Sequence, residues 1–332
     1  ARTQQAADTR AHLPALLALE AYATGRAIEF RAAQSRVEAE LRKLLTLEPS
    51  DHATRLLLIS LLIDDGNHEL AATECATLAN GSDSEYVRAI AQRYREANRA
   101  TAGIRSLDLT GLPDPNSAVE HFVAGFHALR RRDKASGTTA EHHLLAAGPD
   151  FVPARDLLLP VFLLRAEQTR GSVRQQYVQR CYDEALRLEG IYGRPTARTR
   201  HALGTAMVLQ RRYVDAIPLL EDALRLRPNR HGPLQNLAIC QYRTGNLAAA
   251  RESLTRAHAL RPELWNTLHT MARVACAEER FDDALSAAEQ IPNDGILGEA
   301  WRRPHVIAGV HLDAAFTHYR AGRLDAAKVA AE

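Results

Sequence analysis

Apolar and small residues recur along the chain with the spacing of helices packed in pairs, and the pattern is sharpest between residues 197 and 264. There, two consecutive stretches of 34 residues, Ala197–Arg230 and His231–Leu264, align without a gap. Counted from each start, position 7 is Leu203 and Leu237, and position 8 is Gly204 and Ala238. Position 20 is Ala216 and Ala250, position 27 is Ala223 and Ala257, and position 32 is Pro228 and Pro262. Small residues at 8, 20 and 27 allow two antiparallel helices to approach closely. Proline at 32 cannot extend the second helix, so the chain must turn there. Each stretch therefore predicts one helical hairpin.

The same register extends outward. From Trp265, Met271 and Ala272 take positions 7 and 8, Ala284 takes 20, and Pro292 arrives four residues early, which predicts a short second helix. Residues 292–304 read as an insertion before a last hairpin near Ala308, with Ala314, Ala315, Gly322 and Ala327 at 7, 8, 15 and 20. Toward the N-terminus the pattern loosens. Starts at Ala18 and His52 place Leu41, Leu44, Leu58, Ile59, Ala71 and Leu78 at packing positions, and Ser84–Arg99 predicts a further helix. Thr101–Asn116, with Pro113-Asp114-Pro115, forbids a continuous helix and reads as a linker. From Ala118, Gly125 and Leu144 fit positions 8 and 27, but Gly137 at 20 does not. From Val152, Ala185 falls seven residues late for position 27, which predicts a lengthened loop around Glu167–Ser172. Pro160 is expected to kink or break its helix.

The period and the positions of small residues resemble the tetratricopeptide repeat (TPR) family. The resemblance implies an all-α, right-handed superhelical solenoid of helical hairpins, degenerate in the middle. Its parts are N-terminal hairpins over 1–100, a linker over 101–116, degenerate hairpins with longer loops over 117–196, and a C-terminal array over 197–332. In that family the first helices line a concave groove through positions 2, 5, 9, 12 and 13. Carried onto this chain, those positions nominate Arg198, His201, Thr205, Gln235, Tyr242, Arg243, His269, Arg273, Tyr319 and Arg320. The set holds four arginines and no carboxylate, which points to an acidic peptide or protein tail. The positions used by family members that clamp chaperone tails are His201, Thr205, Asn236, Asn266 and Thr270 here. Only Asn236 agrees, so that ligand is not expected.

Composition narrows the classes. The chain has 332 residues, 5% aromatic residues and a net charge of +2, which does not by itself imply nucleic acid or a membrane surface. Lys43, Lys134 and Lys328 are the only lysines among 42 basic residues, a bias expected of a GC-rich bacterial genome. No apolar run is long enough to span a membrane. Cys75, Cys181, Cys240 and Cys276 form no CxxC pair and read as structural thiols. They fit a reducing cytoplasm, with the periplasm as the alternative. A first residue other than methionine and an unfinished last hairpin suggest a piece of a longer polypeptide or complex.

Catalytic motifs are absent: there is no HExxH, GxxxxGK[ST], GxSxG or strand-linked GxGxxG. His142-His143 lacks ligand spacing, and His311 and His318 fall at positions expected to pack between helices. Paired carboxylates such as Asp64-Asp65 and Asp282-Asp283 suit helix caps. Arg130-Arg131-Arg132 ends a helix, where positive charge meets the dipole. Trp301 beside Arg302-Arg303 is expected to bury against the last hairpin. No cofactor or metal is expected. The expectation is a non-catalytic scaffold that binds a peptide, protein tail or partner helix in its groove. The alternative is a regulatory or oligomerisation segment of a larger enzyme or of a secretion or polysaccharide-export assembly.

Overall fold

Each hairpin of the C-terminal half turns on one left-handed residue. At position 15 stand Arg211, Gly245, Glu279 and, counting the last hairpin from Ala308, Gly322, with φ of 62°, 85°, 57° and 71°. The next residue's N–H then donates back to a carbonyl five residues earlier. These bonds run from Arg212 to Met207, Asn246 to Gln241, Arg280 to Ala275 and Arg323 to His318, at 2.8–2.9 Å. Such a turn satisfies carbonyls that the ending helix leaves open and starts its partner immediately. Asn246 caps the new helix by accepting from the Ala249 N–H at 3.2 Å. At the same position Arg212 and Arg280 instead pair with Asp215 and Asp283 in the first turn of the helices that follow.

The computed structural model describes residues 30–64, 67–99, 111–131, 136–292 and 302–331. Among them, all regular structure is helical. The chain divides after Pro195 into two compact units. The first holds α1 (Phe30–Leu47), α2 (His52–Asp64), α3 (His68–Gly81), α4 (Glu85–Arg99), α5 (Ala118–Arg131), α6 (Ser136–Ala146), α7 (Val152–Gln168) and α8 (Gly171–Tyr192). The second holds α9 (Ala197–Leu209), α10 (Tyr213–Leu226), α11 (His231–Arg243), α12 (Leu247–Leu260), α13 (Trp265–Ala277), α14 (Phe281–Glu289), α15 (Arg302–Arg320) and α16 (Leu324–Ala331). In the second unit α9, α11, α13 and α15 each pair with the helix that follows and also touch one another in series.

Small residues set the helix separation where the aligned repeats place them. Ala216, Ala223, Ala238, Ala250 and Ala257 are fully buried. A Cβ added to Gly204 would lie 2.7 Å from Leu220 Cγ, so the leucine occupies the space a side chain would need. Gly125 meets Leu144 in the same way, at the same 2.7 Å. That identity corrects the register of the 118–149 hairpin. Gly125 precedes its buried partner Ala140 by 15 residues, where Gly204 precedes Ala216 by 12. Ala140, not Gly137, is the close-contact residue, and Leu144 does the work of Leu220.

The next hairpin absorbs its extra length differently from the expectation. No lengthened loop forms around Glu167–Ser172: only Thr169 and Arg170 separate the helices. The helices themselves are longer, 17 and 22 residues in α7 and α8 against 13 and 14 in α9 and α10. Pro160 does not break α7, which runs through it to Gln168. α4 provides one helix beyond Ser84 and packs on α2 and α3. The segments 1–29 and 101–110, Asp65, Gly66, Arg132 and Trp301 lie outside the described residues. Residues 111–116, the rest of the expected linker, carry neither helix nor strand.

Two substitutions test these contacts by melting midpoint. Ala216→Leu forces three more carbons into a filled interface and is expected to destabilise by about 1–3 kcal/mol. Arg211→Gly removes a side chain from a left-handed position and is expected to stabilise by roughly 1 kcal/mol or less.

Candidate functional site

The four first helices of the second unit place the nominated residues on adjoining surfaces, but not in equivalent environments. Over α9 and α11 a polar ladder ties the helices together. The Thr205 hydroxyl donates to the His201 carbonyl at 2.8 Å and accepts from the Asn236 amide, also at 2.8 Å. The same amide lies 3.5 Å from His201 Nε2. Gly232 lets α11 approach the His201 ring, since a Cβ there would sit 2.9 Å from Cε1. One helix further, Thr267 is wholly buried, 2.7 Å from His231 Nε2 and within 3.3 Å of Gln235 Oε1. Arg198 is 9% exposed, a buried side chain rather than an open groove residue.

From Tyr242 onward the surface is open and cationic. The Arg243 guanidinium lies 5.7 Å from the Tyr242 ring centre and 6.0 Å from that of Tyr213. Arg273, from the neighbouring helix, lies 5.3 Å from the same Tyr242 ring. His269, one turn before Arg273, stacks on Trp265 at 5.8 Å and 14°. Burial, the Arg273 charge and His305 hold its imidazole below the ordinary range. At the far end Tyr319 is 65% exposed, and Arg320 stands over the ring of Phe316 at 5.9 Å.

Four arginines of the first unit have another fate. Arg55 pairs with Glu74, Arg155 with the buried Glu184, and Arg165 and Arg180 share Glu141. Arg243, Arg273 and Arg320 form no ion pair among the described residues and rest on aromatic rings instead. A guanidinium stacked on a ring keeps its in-plane N–H donors available.

Other candidates resolve structurally. Burial pushes the Cys75, Cys181 and Cys240 thiols up to about 12, and burial with the Asp313 carboxylate takes Cys276 to about 11, so all four are held as unreactive thiols. His318 packs against Phe281, whereas His311, two turns earlier on the same side of α15, is exposed. No cluster of three metal-ligating side chains occurs among the described residues. In the first unit the structure joins two histidines that the sequence kept apart: His121 Nδ1 and His143 Nδ1 face each other at 3.2 Å across α5 and α6. Burial and the adjacent His142 lower both imidazoles. Nothing in the sequence announces this pair, since it depends on the hairpin register.

Residues 207–263, which span the α10–α11–α12 core of the aligned repeats, match the family model described as tetratricopeptide repeat. This stretch carries tetratricopeptide repeats. No curated protein matches it by sequence. Among solved structures, the chain is similar to the APC/C hetero-tetramer Cut9–Hcn1, at 14% identity and a TM-score of 0.53. That match covers 95% of this chain and 51% of the other, so this chain spans about half the length of its counterpart. It is also similar to pilF of Pseudomonas aeruginosa (18% identity, 79% and 100% of the two chains, TM-score 0.45). A third similarity is to yeast Tom70 (14% identity, 91% and 66% of the two chains, TM-score 0.31). At these identities the Cut9–Hcn1 likeness establishes the TPR fold alone. No helix among the described residues is long and apolar enough to cross a membrane.

The lowered imidazoles of His121, His143 and His269 give the TPR fold a pH dependence of defined sign. Folding disfavours their protonated forms, so the unfolded chain binds more protons below its ordinary imidazole pKa of about 6.5. Their contribution is full above that value and is lost as the pH falls below it. The melting midpoint is expected to drop between about pH 7.5 and about pH 5, and His143→Gln is expected to flatten that drop. An equal slope in the variant would remove this assignment.

Proposed function

We propose that the chain is a non-catalytic interaction scaffold whose second unit binds an extended, acidic segment of a partner protein. The segment lies along the open part of the face formed by α11, α13 and α15. The observation that carries this reading is the contrast in arginine pairing. Arg55, Arg155 and Arg180 of the first unit pair with carboxylates that are buried or half-buried, while Arg243, Arg273 and Arg320 stand exposed near aromatic rings and form no ion pair among the described residues. Arginine forks bond carboxylates in pairs, and a surface of one sign steers oppositely charged segments toward it. The α9 end contributes support rather than contact, because His201, Thr205 and Asn236 are bonded to one another. The same ladder occupies three positions a chaperone-tail clamp would need free, which argues against that ligand.

A second reading, a regulatory or oligomerisation segment of a larger assembly, draws on the last hairpin. There Leu312, Phe316, Leu324 and Val329 are all exposed, an apolar surface of the kind proteins bury against one another. Sedimentation of the purified chain distinguishes self-association from binding to a different protein.

The leading reading is tested with the intact chain and a partner recovered by affinity capture. Arg243→Ala with Arg273→Ala is expected to weaken binding about tenfold or more and to flatten its dependence on salt. Unchanged affinity and an unchanged salt slope would overturn it.

A further inference from the structure

We propose that Arg243, Arg273 and His269 form an oxyanion subsite that prefers a phosphoryl dianion, such as a phosphorylated side chain, to a single carboxylate. The inference rests on the acidic-segment reading and specifies where and in what form the charge is taken. Two guanidinium groups, from α11 and α13, lie within 5.7 Å and 5.3 Å of the centre of one tyrosine ring. Both guanidinium groups are exposed and form no ion pair among the described residues, so their N–H donors are available. A carboxylate offers two oxygens and one charge, enough for one fork. A phosphoryl group offers three acceptor oxygens and nearly two charges, enough for both.

His269 extends the argument. It lies one helical turn from Arg273, with its ring plane set by the stack on Trp265. The basic groups that face it are Arg273 on its own helix and His305 on α15. The Asp313 carboxylate of α15 is bonded by the Cys276 thiol and offsets part of the Arg273 charge. The Arg273 charge disfavours protonation of His269, and a dianion seated between them relieves that repulsion. Its charge also favours the protonated form of His269, which adds one more donor.

The test uses the full chain and three labelled forms of one acidic peptide, bearing phosphoserine, glutamate or serine at the same central position. Binding is followed by fluorescence anisotropy. The phosphoserine peptide is expected to bind about tenfold or more tightly than the glutamate peptide. That advantage should vanish in Arg243→Ala and in Arg273→Ala, shrink in His269→Gln, and persist in Arg320→Ala. Equal binding of the phosphoserine and glutamate peptides overturns the subsite while leaving the acidic-segment reading intact. So does a phosphoserine advantage that survives both arginine variants. Absence of saturable phosphoserine binding at millimolar concentration overturns it as well. The broader reading is judged separately, by the affinity of the captured partner for the double arginine variant.

Discussion

Leu220 fills the volume that a side chain at position 204 would occupy, and the close packing of the α9–α10 hairpin follows from that exclusion. With no Cβ on one helix and alanines at the facing positions of the other, the two backbones come close enough to bury a thin layer of leucine and alanine. One such layer cannot stabilise a hairpin alone, so each must stack on the next. Stacking then fixes which sides of the first helices meet and which remain open. The first unit repeats the device with Gly125 and Leu144, showing that the contact, rather than the residue count, defines the hairpin.

This also explains what could be read in advance. The pair of repeats over 197–264 was legible because small residues, turn residues and prolines all kept step at 34 residues. The 118–149 hairpin was not, because three additional residues fall between Gly125 and Ala140 and shift every later position. The hairpin after it hid its length inside α7 and α8, where helix-forming residues give no sign of an insertion. Among the candidate binding residues, position within the repeat correctly indicated the helix but not the depth. Arg198 is buried and Thr205 is spent on Asn236, whereas Arg243 and Arg273 stay open. Side-chain pairing across successive helices decides this, and a single-helix register cannot express it.

One residue type thus serves two purposes. Where a carboxylate shares the interior, as Glu184 does with Arg155, arginine is part of the packing, and removing either partner would strand a buried charge. Where arginine lies on a tyrosine at the surface, it keeps its charge at modest cost in hydration and holds its donors in a restrained plane. A count of charges along the chain, which comes to +2, conceals this separation. The local field, not the net charge, is what a ligand meets.

The left-handed residue at position 15 has a kinetic side. Each turn closes on itself through one backward hydrogen bond, and the helices pack chiefly on those next to them in sequence. Chains with such short loop closures reach their folded form quickly, and growth can start at any unit and spread to its neighbours. Gly245 enters the left-handed region without a side-chain penalty, whereas Arg211 and Glu279 bear one at the equivalent turns. The turns at Gly245 and Gly322 therefore close at lower conformational cost than those at Arg211 and Glu279.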